Sequence, residues 1–282
     1  TPNPNQPPSL CFSSDTTVWV QGKKHPIPMS ELGLGDLVWT GAQQYEPIYS
    51  FGHYHPSRQG EFLEIVTTNP GLSALEISKE HMVFVLHNNT SRKAAVPASL
   101  LQPGDALVMD MLLLQRFSSE PTTNASVVDS VTRVKSIQTV HRKGLYAPFT
   151  PSGTIVVSGG IVASVYVAFG GGEEGFRSHH WMAHASQGPH RFLCHIMMEY
   201  CTRGGESYTN DEGISYWVYV PLQFAQWMFR RGILLRTLLW IPVWGLLFVL
   251  WLVEHVSLNN NTLWLVGAMA AGMIVLLQHK NY

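Results

Sequence analysis

The sequence predicts a mainly β fold built from two pseudo-twofold halves, followed by an α-helical C-terminal region with one or two transmembrane segments. Three observations carry this expectation. One frame of residues occurs twice before residue 108, short runs rich in β-branched and aromatic residues fill positions 17–169, and the long apolar runs gather after residue 231.

The repeated frame is Ile27-Pro28-Met29-Ser30-Glu31-Leu32-Gly33-Leu34-Gly35-Asp36-Leu37-Val38, which returns as Val96-Pro97-Ala98-Ser99-Leu100-Leu101-Gln102-Pro103-Gly104-Asp105-Ala106-Leu107. Both copies read apolar-Pro-x-Ser-x-Leu-x-x-Gly-Asp-x-apolar. Each predicts a short helical turn, then a Gly-Asp turn that feeds a strand, as an internal duplication requires. Strand-like runs lie at Thr17 to Val20, Val38 to Thr40, Ile48 to Phe51, Phe62 to Thr67, Met82 to Leu86, Val131 to Val140, Thr154 to Val157 and Ile161 to Phe169. Breaks such as Asn69-Pro70-Gly71 and Pro151-Ser152-Gly153 separate them.

The run Gly170-Gly171-Gly172-Glu173-Glu174-Gly175 reads as a flexible hinge, so residues 170–178 form a linker. Helical spacing of apolar residues follows at Trp181 to Tyr200 and Tyr216 to Arg230, within a region spanning 179–231. Residues 232–282 form the membrane region. Gly232 to Val253 is apolar enough to span a bilayer despite Arg236 and Pro242, whereas Leu263 to Gln278 is shorter and either spans a thin bilayer or returns as a hairpin. A buried soluble helical hairpin is the competing reading of both segments. Orientation signals conflict: Arg230, Arg231, Arg236 and Lys280 place the flanks on the cytoplasmic side, while the sequons at Asn88 and Asn124 have meaning only for a lumenal β region.

Composition narrows the function. A net charge of -1 with 13% charged residues leaves no broad basic surface, which argues against nucleic acid as a partner. The three cysteines, Cys11, Cys194 and Cys201, are too few for a disulfide scaffold, and no CxxC pair points to zinc. His179, His180, His184, His190 and His195 with Cys194 fit no standard ligand spacing, so neither metal nor cofactor is expected. The polar, proline-rich residues 1–10 lack the layout of a signal peptide and read as the end of an upstream polypeptide.

Cys11 stands where this leader meets the first strand, in Cys11-Phe12-Ser13-Ser14-Asp15-Thr16-Thr17-Val18, and Ser78-Lys79-Glu80-His81 leads into the strand at Met82. With the two Gly-Asp turns, the Lys143-Gly144-Leu145-Tyr146-Ala147-Pro148-Phe149-Thr150 segment and Gly153-Thr154-Ile155-Val156-Val157, these residues resemble the Hint family and, within it, the hedgehog autoprocessing domain. The resemblance covers residues 11–169. Weaker similarity continues through Ala183-His184 and Arg191-Phe192-Leu193, where hedgehog proteins begin a sterol-recognition region.

The resemblance implies that Cys11 attacks the Leu10-Cys11 bond and converts it to a thioester. An amide is a poor electrophile, so the step needs an activated sulfur and a proton for the departing nitrogen. His81, with an ordinary histidine pKa, would give that proton, and the Ser78 hydroxyl would orient the scissile group. In the family an aspartate then deprotonates cholesterol, which takes the acyl group. Alignment through Tyr45-Glu46-Pro47-Ile48-Tyr49-Ser50-Phe51-Gly52-His53 puts His53 at that position, either as a replacement base or as an exposed loop residue. Val165 stands where many hedgehog proteins have a second cysteine, and Leu10 where they have glycine. No His-Asn ending of the intein kind occurs near residues 157–168, so cleavage is expected and splicing is not.

These implications give a single-turnover, cysteine-dependent self-processing enzyme. Its partners would be the upstream polypeptide in cis, a membrane, and a sterol or other lipid alcohol. It would sit in the secretory pathway with the β domain lumenal, and a chain ending at Gly172 would form thioester but lose lipid transfer. Thioester hydrolysis alone and an inactive membrane-anchored interaction module are the alternatives.

Overall fold

A computed structural model describes residues 11–86, 93–110, 113, 131–168, 180–197, 201 and 209–229, with isolated positions from 238 to 249. The repeated frame folds the same way twice. A 3-10 turn at Met29–Glu31 is matched by one at Ala98–Leu100, and Leu32 and Leu101 after them are both buried. Gly35 and Gly104 follow with φ of +87° and +99°, a left-handed turn that an L side chain rarely adopts. The next aspartate locks the turn: Asp36 Oδ2 accepts the Gly33 amide and Asp105 Oδ2 the Gln102 amide, each at 2.8 Å. Gly35 N then donates to Ile48 O and Gly104 N to Val134 O, both at 2.8 Å, so each half hooks onto the long strand region that follows it.

The strands are β1 (Thr17–Val18), β2 (Ile27–Pro28), β3 (Leu37–Trp39), β4 (Tyr45–Pro47), β5 (Ser50–Thr67), β6 (Leu75–Ile77), β7 (His81–Leu86), β8 (Lys93–Pro97), β9 (Ala106–Val108), β10 (Val131–Phe149), β11 (Thr154–Val157) and β12 (Ile161–Val167). All pair antiparallel, in a sheet ordered β2-β1-β11-β12-β7-β9-β10-β5-β6 with β8 on β7, and a separate pair β3-β4. β5 and β10 are the long mates of the two halves and pair from Ser50↔Phe149 to Thr67↔Val134. Both run straight through stretches that the sequence pattern breaks. The polar Gln59 to Glu61 stretch pairs residue for residue with Lys143, Arg142 and His141 of β10, so the ladder supplies what side-chain patterning does not, while Pro56 to Arg58 fall in the register shift between Lys143 and Leu145. The main core draws Met29, Leu32 and Ile48 from one half and Ala98, Leu101 and Val134 from the other, together with Phe12, Val83, Ile155 and Val165. Each large apolar side chain buried there contributes about 1.5–3 kcal/mol.

Three helices follow: α1 (His180–Ser186), α2 (Gly188–Ile196) and α3 (Tyr216–Phe229). The expected helix from Trp181 is two helices, because Gly188-Pro189 interrupts it; Pro189 lies in the first turn of α2, where its missing N–H is harmless. Cys194 and Cys201 form a disulfide, a single bridge that the reading of the cysteines as too few for a disulfide scaffold did not name. Seven residues of continuous helix would separate their Cα atoms by about 10 Å, too far for a bridge. α2 ends at Ile196, and the chain brings the two Cα atoms to 5.5 Å.

Among the described residues no helix is long and apolar enough to cross a membrane. The expected spans at 232–253 and 263–278 lie outside those residues apart from isolated positions, as do residues 1–10, both sequons, and the linker 170–178.

Candidate active site

Cys11 is placed by a two-sided backbone clamp. Its N–H donates to Ser78 Oγ at 3.0 Å, and the Ser78 N–H donates to the Cys11 carbonyl at 2.9 Å. Next along the chain, Phe12 exchanges amide hydrogen bonds with Tyr146 of β10, at 2.8 and 3.1 Å, and lays its ring 4.3 Å from that of His81. Cys11, Phe12, Ser78 and His81 are fully buried. Cys11 is therefore stitched between β10 and the β6–β7 turn, and the Ser78 hydroxyl contacts the amide nitrogen of the Leu10-Cys11 bond.

His53, on β5, is brought to the sulfur. Gly52 before it has no Cβ, which is required because a Cβ there would meet the Phe149 ring at 2.4 Å. His53 Nδ1 lies 2.9 Å from Cys11 Sγ, and Nε2 lies 2.8 Å from the backbone carbonyl of Glu212. A carbonyl only accepts, so Nε2 carries the hydrogen and the neutral ring presents a lone pair at Nδ1 toward the thiol. Burial lowers the His53 pKa to about 4, outweighing the Glu212 hydrogen bond that raises it. The ring is thus a neutral base at physiological pH. Of the two sequence readings of His53, the exposed loop residue is excluded, since the side chain lies on β5 and is buried against the Cys11 sulfur.

His81 Nε2 donates to the carbonyl of Ser164 at 2.8 Å, and its Nδ1 has no hydrogen-bond partner among the described residues. Full burial pushes its pKa down to about 4, which corrects the expectation of an ordinary value. The cause is desolvation with no acidic partner to offset it. Leu10, on the other side of the scissile bond, lies outside the described residues.

The helices close the far side of the site. Ser164, whose carbonyl holds His81, joins its hydroxyl to His180 Nδ1 of α1 at 2.9 Å. Tyr166 reaches His184 Nδ1 at 3.2 Å, and Arg191 NH1 of α2 lies 3.4 Å from the same hydroxyl. A half-open cleft lies between this layer and β5, lined mainly by apolar groups such as Phe149, Val165, Tyr166 and Val218, with His53, Ser186 and Gln187 as polar members. A ring nitrogen of His190 and the sulfurs of Cys194 and Cys201 lie within 4.8 Å of one another, but the sulfurs are joined to each other and neither is available as a thiolate ligand.

Residues 6–230 match the family model described as the Hint module. This chain belongs to the Hint family. It is similar to the Tiggy-winkle hedgehog protein of Danio rerio, at 29% identity over 229 residues that cover 78% of this chain and 49% of that protein. It is also similar to the Indian hedgehog protein of Xenopus laevis, at 28% over 160 residues, 54% of this chain and 35% of that one. The chain thus spans half or less of the curated relatives it matches. Among solved structures, the gp41-1 intein aligns over 55% of this chain and 98% of its own at 13% identity and a TM-score of 0.39. The chain is a Hint module of hedgehog type.

Sequence reasoning named Cys11, Ser78, His81 and His53, and the fold brings all four together. It missed the Glu212 carbonyl, because a backbone group 159 residues from His53 leaves no trace in residue type. It missed Ser164 for the same reason.

Proposed function

We propose that this chain cuts the Leu10-Cys11 bond by an N-to-S acyl shift and then passes the upstream polypeptide to a sterol or other lipid alcohol. The observation that carries the reading is the 2.9 Å contact between the buried Cys11 sulfur and a His53 nitrogen that can only accept a proton. As Sγ attacks the residue-10 carbonyl, the thiol proton moves to His53 Nδ1 and an oxyanion forms. The C–N bond then breaks, and the Cys11 nitrogen takes a proton to leave as an amine. The shift is proton-neutral overall, since sulfur loses the proton that nitrogen gains. His81 would serve as a relay: neutral, with its hydrogen on Nε2 toward Ser164 O and none on Nδ1, it first takes up at Nδ1 the proton that leaves His53, which the charge of the oxyanion favours, and then passes it to the Cys11 nitrogen, so that both imidazoles end neutral.

Once the sulfur is acylated, His53 Nδ1 is released toward the apolar pocket it lines. An acceptor hydroxyl held there would meet the same base, so one histidine serves both steps. The apolar lining supports a lipid alcohol over water as acceptor. The Cys194–Cys201 disulfide supports an oxidising compartment, hence a lumenal Hint domain in the secretory pathway, next to the membrane that supplies the lipid.

The test fuses a reporter ahead of Thr1 and compares the chain with Cys11→Ala, with and without sterol, adding dithiothreitol or hydroxylamine to trap thioester. Thiol-induced release from the parent alone, with the released fragment heavier by one sterol when sterol is present, is expected. A fragment of unchanged mass means hydrolysis. Release equal to that of the alanine variant removes the reading, and with it leaves an inactive module.

A further inference from the structure

We propose that the turn Asn210–Ile214 of the C-terminal region is a positioning element for catalysis, because its Glu212 carbonyl fixes the tautomer of His53. The proposal rests on the acyl-shift reading above and deepens it by assigning a function to a segment outside the β domain.

The turn is a built object. Asn210 Oδ1 accepts the N–H groups of Glu212 at 3.1 Å and Ile214 at 2.9 Å, while the Asn210 N–H donates to Ile214 O at 2.9 Å and the Gly213 N–H to Asn210 O at 2.8 Å. Gly213 has φ of +78°, and a Cβ there would lie 2.4 Å from the Tyr54 carbonyl, so only glycine admits this approach. The turn docks on β5 on both sides of His53: Tyr54 N donates to Gly213 O at 2.9 Å, and Ser215 N to Gly52 O at 3.0 Å. Ser215 then caps α3, with its hydroxyl accepting from Trp217 N at 3.3 Å. Ile214 and Ser215 are buried, so the segment is anchored from both ends.

The consequence is chemical. A neutral imidazole has one hydrogen and two nitrogens, and it can take the thiol proton at Nδ1 only while the hydrogen is on Nε2. The Glu212 carbonyl selects that form. A carboxylate at position 53 would have no tautomer to select, so the need for the turn is tied to this chain having histidine where hedgehog relatives have aspartate. The sequence-based expectation for a chain ending at Gly172 changes accordingly: it loses the tautomer control and forms thioester slowly as well as losing the acceptor pocket.

The experiment uses the full chain with an N-terminal reporter in four forms: parent, Asn210→Ala, His53→Asp, and the two changes together. Dithiothreitol-induced release is followed across pH 5 to about 9, and nitrogen NMR of labelled histidine reads the tautomer of His53. Asn210→Ala is expected to slow release about five- to tenfold, one hydrogen bond's worth, and to move His53 away from the pure Nε2–H form. In the His53→Asp background the same change should alter the rate less than twofold. Equal slowing in both backgrounds, or slowing with the His53 tautomer unchanged, assigns the turn a merely structural role and overturns the proposal. If His53→Asp is itself silent, the tautomer signal and the parental rate ratio decide alone. Failure of the underlying acyl-shift reading would look different, because the parent and Cys11→Ala would then release equally.

Discussion

On the proposed acyl shift, replacing His53 by alanine or glutamine removes the base that receives the Cys11 proton, and the size of the loss follows from the acidity of the two groups. An ordinary thiol titrates near pH 8.5, whereas burial lowers His53 to about 4. Proton transfer at rest is therefore uphill. The 2.9 Å contact is accordingly a neutral thiol–imidazole pair, with no standing thiolate. His53 acts only as the sulfur attacks, when the rising acidity of sulfur closes the gap, and the loss should be the ~10²- to 10⁴-fold typical of a general base. The assay is single-turnover, hydroxylamine-trapped release, with ultraviolet absorbance to detect thiolate in the uncut chain. Glutamine preserves shape and can still face the Glu212 carbonyl, which separates lost chemistry from lost packing. Release within threefold of the parent in the glutamine variant, or a thiolate band at neutral pH, would refute this reasoning.

Acidification should both stop the reaction and loosen the fold. Thioester formation needs neutral His53, so its rate should hold to about pH 5 and fall as pH drops through about 4, against near 6.5 for an unburied histidine. His53, His81, His180 and His190 fall to about 4 and His184 to about 3 through burial, so the unfolded chain binds more protons between there and 6.5. Stability is full above pH 6.5 and is lost as pH falls toward the folded values, by about 3 kcal/mol for one fully buried histidine such as His81; a urea midpoint that is flat from pH 7 to about 5 would contradict this. Reducing Cys194–Cys201, or replacing both by serine, should cost about 2.5 kcal/mol from the loop it closes, read as a lower urea midpoint without change in thiol-trapped release. Ser78→Ala should slow release about ten- to a hundredfold, because the buried Cys11 N–H loses its acceptor; an unchanged rate would exclude its clamp role.

The two Gly-Asp turns were legible because their chemistry is local: a glycine at positive φ and an aspartate accepting an amide three residues back can both be read from adjacent letters. Cys11, Ser78 and His81 were legible through the resemblance to the hedgehog autoprocessing domain. The short strands β2, β4, β6 and β8 were not, since two to five residues carry too little periodicity, and neither was the full length of β5 and β10, whose polar middles hold only through each other. The Cys194–Cys201 bridge was missed because it depends on where α2 stops.

The sequence by itself determined the duplicated β frame, because its residue types recur at short spacing, and its resemblance to the hedgehog autoprocessing domain pointed to Cys11, Ser78, His81 and His53 as the residues to watch. Only the tertiary structure decided what His53 and His81 can do with a proton. Their tautomers and lowered pKa values come from burial and from the carbonyls of Glu212 and Ser164, backbone groups present at every residue, whose effect depends on position in space and not on side-chain identity.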